Sequence, residues 1–228
     1  MLYTDWEPIY TAILEDFGYD RAGDERARDL LAGLVAGGGT LAPEDLDLGG
    51  TVAVCGAGPT LVDELELADH ADTVVAASTA ADVCLDGGIE VDCMVTDLDK
   101  NPETARELSS AGTPVAAHAH GDNVPAVERH VPTFDLGSVV PTTQAAPTPL
   151  VHNPGGFTDG DRAAFLADAC GADRLVFPGW SFDDPTVDTE KARKLRWAER
   201  LLALLEERRD ERFGVLDGRR EKIDRPWK

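Results

Sequence analysis

From residue 51 onward, short apolar, β-branched runs alternate with helical patterns, and this alternation constrains the fold more than any other feature of the chain. The runs cover residues 51–55, 73–77, 92–96, 114–117, 133–136 and 174–177; helical spacing fits 60–68, 102–110, 124–130, 161–170 and 188–208. A run that is apolar throughout, rather than at every second residue, suits a strand buried on both faces. Such strands separated by helices predict an α/β fold: a mostly parallel sheet with helices on both faces, Rossmann-like in its winding. In sheets of this kind ligands bind beyond the carboxyl ends of the strands, so the loops after each run are where chemistry is expected.

Two amphipathic helices precede this pattern, over 5–17 and 24–36. Trp6, Ile9, Tyr10, Ile13, Leu14 and Phe17 recur at helical spacing, as do Leu30, Leu31, Leu34 and Val35. Three glycines at 37–39 end the second helix, and a turn-rich stretch runs on to Gly50. The expected division is a helical N-terminal region, 1–48, and an α/β catalytic domain, 49–228. The apolar faces of the two helices suit either a cover over the site or a homodimer interface.

Charge narrows the partners. Acidic residues number 43 against 21 basic ones, a formal charge of −22. Such a surface repels nucleic acid and anionic membrane, so neither is an expected partner. The acids are scattered from Asp5 to Asp224 and Arg outnumbers Lys, as suits a surface adapted to molar salt, where fields are screened within ~3 Å. A cytosolic protein of a halophilic archaeon is expected. The first residues show no basic stretch followed by an apolar one, and no apolar run nears the ~20 residues that span a bilayer, so the predicted location is cytoplasmic. Cys55, Cys84, Cys93 and Cys170 lack zinc-like spacing and read as buried thiols.

The loops carry the candidates. After the first run stand Gly56, Ala57, Gly58, Pro59 and Thr60, where two glycines allow close backbone approach and Pro59 and Thr60 suit a helix opening that attracts phosphate. Leu61 and Ala77-Ser78 depart from the dinucleotide fingerprint, which disfavours NAD. After the third run, Asp97 and Asp99 lie two residues apart, so both carboxylates can face one point and hold Mg²⁺ together with substrate phosphates. After the fourth come His118, His120, Asp122 and Asn123, which suit phosphate contact, proton transfer, zinc or a plain helix cap. A glycine-rich loop then presents Gly156, Phe157, Thr158, Asp159, Asp161 and Arg162, with a capping-box pattern between Thr158 and Asp161 and a cation able to grip phosphate. Trp180 and Phe182 follow the last run. Lys191 and Lys194 begin the last helix, where they either reach phosphate or form part of a solvated face.

No nucleophile elbow, Gly-x-x-x-x-Gly-Lys-Ser/Thr loop or kinase set is present. Asp- and Gly-rich loops with a few cations suit phosphoryl or diphosphoryl transfer, which needs positioning and charge neutralisation. In order, Gly56-Ala57-Gly58-Pro59, Thr96-Asp97-Leu98-Asp99, His118-Ala119-His120-Gly121-Asp122-Asn123 and Gly156-Phe157-Thr158-Asp159-Gly160-Asp161-Arg162 resemble the archaeal 6-hydroxymethyl-7,8-dihydropterin pyrophosphokinase family. The Asp-x-Asp loop is also similar to that of thiamin pyrophosphokinases, whose fold the family is thought to share. The resemblance implies Mg²⁺ as cofactor, ATP as co-substrate, a reduced pterin as substrate, AMP as product, and a place in folate or methanopterin synthesis. It implies metal binding by Asp97, Asp99 and Asp122. Charge neutralisation falls to His118, His120, Arg162 and Lys191, and ATP and phosphate binding to Gly56, Gly58, Pro59, Thr60 and Asn123. Pterin binding falls to Gly156, Phe157 and Thr158, and Asp159 or Asp161 serves as pyrimidine partner or base. Lys100 stands where a small residue is expected. Other readings are a thiamin-type or sugar-nucleotide transferase of the same fold, and a non-catalytic nucleotide binder.

Overall fold

A computed structural model describes residues 1–227. Two helices, α1 (Tyr3–Phe17) and α2 (Arg21–Val35), lead into an alternating series. The strands are β1 (Thr51–Cys55), β2 (Thr73–Ala77), β3 (Cys93–Thr96), β4 (Val115–Ala119), β5 (Val139–Thr143) and β6 (Arg174–Val176). Between them lie α3 (Leu65–Asp69), α4 (Ala80–Asp86), α5 (Pro102–Ser110), α6 (Val124–His130) and α7 (Asp159–Ala169), and α8 (Thr189–Arg209) follows. The six strands form one sheet in the order β5-β4-β3-β2-β1-β6, and every pairing is parallel.

This order fixes where the helices go. From β1 to β5 the chain steps in one direction, so right-handed crossovers put α3 to α6 on the same face. The return from β5 to β6 runs the other way and puts α7 on the opposite face. Successive strand residues divide accordingly. Val52, Val54, Val75 and Val95 pack with α1, α7 and α8, whereas Ala53, Cys55, Val74 and Met94 pack with α2 to α6.

The apolar faces of the N-terminal helices are buried within the same chain. Trp6, Ile9 and Ile13 enter the first core, and Ala27, Leu31 and Val35 the second. Since α1 and α2 lie on opposite faces, their connection through Gly18 crosses the sheet, and Tyr19 and Asp20 line the cavity at its carboxyl edge. Gly18 takes the left-handed conformation (φ 72°) that lets the chain turn there.

One strand and one helix differ from expectation. Residues 133–136 form no strand; 3-10 turns at Val131–Thr133 and Leu136–Ser138 lead into β5 instead. Pro141 within β5 is tolerated because β5 is the last strand of the sheet, its outer side carrying, among the described residues, only an isolated bridge between Thr142 and His152. The helix α4 has only seven residues and no side-chain cap, too little for periodicity to register. Segment 60–68 opens as a 3-10 turn, Leu61–Glu64, before the short α3. Among the described residues no helix is long and apolar enough to cross a membrane. Cys55, Cys84 and Cys93 are buried and Cys170 half-buried, all as free thiols.

Candidate active site

A cavity of about 500 Å³ lies over the carboxyl edge of the sheet. Its acid pair comes from the turn after β3. Leu98 is buried and left-handed (φ 66°), a conformation uncommon for a side chain of this size. Its N–H donates to Thr96 Oγ1 at 2.9 Å, and Asp99 N donates to Asp97 Oδ1 at 3.3 Å. The apolar residue thus goes down into the core while Asp97 and Asp99 both line the cavity.

Each carboxylate shapes the other. Burial raises the pKa of Asp97, but hydrogen bonds with His120 and Asp99 outweigh it and hold the group well below the carboxylate range. Burial, reinforced by the hydrogen bond and charge of Asp97, pushes Asp99 up to about 6. Two acids crowded in this way suit a divalent cation. Among the described residues no cluster of three metal-binding side chains exists, so phosphate oxygens or water would have to complete the shell, as Mg²⁺ permits. Asp122 lies on the exposed rim of the cavity.

The β4 loop holds a reactive and a structural half. His120 Nε2 stands 3.6 Å from Asp97 Oδ2 and lines the cavity. His118, two residues earlier, points away from it: the side chain is 2% exposed, and Nδ1 lies 3.1 Å from Thr142 Oγ1. Burial, followed by the charges of Arg162 and His120, holds its imidazole neutral, with a pKa well below the usual value. His118 is therefore no direct phosphate contact. Asn123 is also committed elsewhere. Its Oδ1 accepts from His120 N at 2.9 Å, and its Nδ2 donates to Asp97 O and His118 O, each at 2.7 Å. It buckles the β3 and β4 loops together and keeps no side-chain N–H for phosphate.

The glycine-rich loop sorts in the same way. Asp161 is fully buried, accepting from Thr158 Oγ1 at 2.6 Å and from the backbone N–H groups of Phe157 and Thr158. It closes the capping box of α7 and is unavailable as a base. Gly156 does not line the cavity; at φ 95° any Cβ would strike the Arg162 backbone. Phe157, Thr158, Asp159 and Gly160 do line it. Arg162 Nη1 donates to Asp159 Oδ1 at 2.9 Å, and Nη2 donates to Gln144 Oε1 at 3.2 Å. Burial, then the charge of Asp97, pushes Asp159 up to about 7 against the pull of Arg162.

Asp159 accordingly yields a test in the metal-free protein. A carbon-13 titration of its carboxyl is expected to show a midpoint near 7; one near 4 would mean a solvated group. The folded chain binds this proton more tightly than the unfolded one. Its contribution to stability is therefore fully present below pH ~4 and lost as pH rises through about 7.

The glycines after β1 serve another strand's loop. Gly56 N donates to Pro178 O at 2.9 Å and Gly58 N to Gly179 O at 2.8 Å. Both glycines line the cavity, but their N–H groups are occupied by the β6 loop and free for no phosphate. Pro59 and Thr60 are exposed and outside the cavity lining, and Thr60 makes no cap. Trp180 Nε1 donates to Val54 O at 2.8 Å, so its ring is fixed as one wall.

Cations gather in the same cavity. Lys100, Lys191 and Lys194 all line the cavity. Burial, then the neighbouring charge of Lys100, lowers the Lys191 pKa. Lys194 pairs with Glu190 at 3.0 Å.

Several contributors carry no motif in the sequence. Asp24 and Gln144 join in a buried chain: Tyr10 Oη donates to Asp24 Oδ2 at 2.6 Å, Gln144 Nε2 donates to the same oxygen at 2.8 Å, and Gln144 holds Arg162. Ser78 lines the cavity at φ 51°, its buried Oγ without a protein partner among the described residues. The polar residue at 144, directly after an apolar strand, was the only signal available.

A model of the family described as 6-hydroxymethylpterin diphosphokinase MptE-like matches residues 43–186. The chain belongs to this family. Three archaeal proteins bearing the name 6-hydroxymethyl-7,8-dihydropterin pyrophosphokinase are similar over nearly their whole length. That of Methanothermobacter thermautotrophicus is 39% identical, across 91% of this chain and 97% of its own. That of Pyrococcus furiosus is 37% identical, across 90% and 94%. That of Methanocaldococcus jannaschii is 30% identical, across 90% and 95%. The MptE-like match spans the Asp97 pair, the β4 loop and Arg162, while Tyr19, Asp24 and Lys191 bring the flanking helices into the same cavity.

Proposed function

We propose that this MptE-like protein transfers a diphosphoryl group from ATP to the hydroxymethyl oxygen of 6-hydroxymethyl-7,8-dihydropterin, releasing AMP, with Mg²⁺ held by Asp97 and Asp99. The observation that carries this reading is the pairing, in one cavity, of two mutually perturbed carboxylates with a bank of lysines. Mg²⁺, when bound, would neutralise charge on the polyphosphate. Lys100, next to Asp99, and Lys191 meet the same charge in the same cavity, where an all-acid surface would repel it. Arg162 faces the charge that builds on the transferring group. Asp159, which lines the cavity with Phe157 and Trp180, offers a carboxyl to the N–H edge of the pyrimidine ring, and the two aromatic side chains suit a flat pterin. His120, whose Nδ1 accepts from Asp122 N and whose Nε2 faces Asp97, is placed to help neutralise charge on the polyphosphate. Catalysis on this reading is mainly positioning and charge compensation. The names borne by the three relatives support it, and the product would feed folate- or methanopterin-type synthesis.

The test is an assay of purified protein in high salt with ATP, MgCl₂ and the reduced pterin. AMP and pterin diphosphate are expected, each dependent on both pterin and metal. ADP in place of AMP would overturn the mechanism. Turnover with thiamin or a sugar nucleotide, and not with the pterin, would move the substrate assignment.

A further inference from the structure

Sharing Arg162 with the main cavity is a second, small one of about 10 Å³, lined by His118, Arg162, Thr142 and Thr143 among apolar Val95 and Leu166. That is the lower limit of the ~10–15 Å³ a single water needs. Two side chains in its wall carry buried polar atoms without a hydrogen-bond partner among the described residues, His118 Nε2 and Arg162 Nε. The residues are 2% and 6% exposed, so bulk solvent serves neither. Buried polar groups left unpaired are costly and rare.

The two atoms are chemically complementary. Thr142 Oγ1 donates to Ala117 O at 3.4 Å, so it accepts from His118 Nδ1–H at 3.1 Å. That tautomer leaves Nε2 a bare acceptor. The Arg162 Nε–H is a permanent donor. They make no hydrogen bond to each other, and a molecule that both donates and accepts satisfies both.

We propose that one buried water occupies this space, donating to His118 Nε2 and accepting from Arg162 Nε–H, and that His118 is thereby a positioning residue for Arg162. All three guanidinium nitrogens are then held: Nη1 by Asp159, Nη2 by Gln144 and Nε by the water. A guanidinium fixed at three points cannot swing out of the site as charge moves past it. The catalytic consequence rests on the role given to Arg162 above; the water and the tautomer do not.

Two measurements on the substrate-free protein read the site directly. High-resolution crystallography is expected to show an ordered water within hydrogen-bond distance of both atoms. Nitrogen-15 NMR is expected to show the Nδ1–H tautomer of His118. A dry cavity, a direct His118–Arg162 bond or the Nε2–H tautomer overturns the proposal. Kinetics tests the positioning role. A His118→Leu enzyme with wild-type circular dichroism is expected to lose ~10–100-fold in kcat with KM for ATP little changed. His118→Gln, which restores an acceptor, should recover part of the loss. A folded His118→Leu enzyme with wild-type kcat sinks that role. Should His118→Leu not fold, Thr142→Val removes the acceptor that fixes the tautomer; a fall in kcat is expected, and an unchanged tautomer and rate would count against the proposal. Because the water and tautomer are read without substrate, a failed pterin assay and a failed water site are separate results.

Discussion

Asp97→Asn should lower kcat by at least ~10²–10³-fold, the scale on which a single electrostatic contributor acts in an enclosed site, and should leave the fold intact. The amide keeps the side chain's size and its Oδ1, so the hydrogen bond from Asp99 N survives. What disappears is a full charge at the one place where two carboxylates crowd together. Asp99 is pushed up to about 6 by burial first and then by Asp97; without the second contribution its pKa should fall back toward the usual carboxylate value. The relief at Asp99 is set against the loss of the His120 and Arg162 interactions that hold Asp97 ionised, so melting temperature should change little as activity collapses, a split that general damage to the structure does not produce. Magnesium should lose most of its effect on the residual rate. Asp122→Asn is the matched comparison. Its carboxylate sits on the exposed rim, and among the described residues only its backbone N–H makes a hydrogen bond, to His120 Nδ1. A change of no more than ~3-fold is expected there, as for a solvated charge. Equal losses at the two positions would mean that Asp122 is as much a ligand as Asp97. Near-normal turnover by Asp97→Asn with unchanged magnesium dependence would remove the metal assignment altogether.

The difference between those two aspartates was invisible in the sequence, and the reason is physical. A strand end can be located from local pattern, because β-branched apolar runs and the turn after them are properties of neighbouring residues. Hence the approach of Asp97 and Asp99 to the carboxyl edge was legible, as were five of the six strands. Whether a polar side chain faces ligand or scaffold depends on distant partners. Asn123 looks like any loop amide until the β3 carbonyl of Asp97 is brought beside it. Asp161 and Asp159 differ by two residues, yet one closes a capping box while the other faces Arg162. Gln144 acquires meaning only when Asp24, 120 residues earlier in the chain, arrives on α2. The misplaced fifth strand has a local cause: Pro141 argues against a strand unless its position at the sheet edge is already known.

The glycines of the β1 and β6 loops make the same point as a stability experiment. Gly179→Ala should destabilise the protein by roughly 3–5 kcal/mol, since left-handed strain and overpacking each cost about 1–3 kcal/mol. Gly179 has φ 75°, and a Cβ there would lie inside the contact shell of Gly56 O and 2.7 Å from Leu61 Cβ. The obstructing groups are a backbone carbonyl and a buried Leu, neither of which can move aside like the tip of a flexible side chain. At this chain length a loss of that size should lower the melting temperature by roughly 10 °C. Gly88→Ala separates the two causes. Gly88 has nearly the same dihedral, φ 77°, but nothing lies within 4 Å of its would-be Cβ. Its substitution should cost only about 1 kcal/mol, the conformational part alone. Gly179→Ala should also impair turnover of whatever remains folded, because Gly56, Gly58 and Trp180 line the cavity and are held by this loop. Gly88→Ala should leave turnover unchanged. Equal melting temperatures for the two variants would show that the β1 and β6 loops part easily, and that the glycines after β1 serve a ligand rather than this close backbone approach.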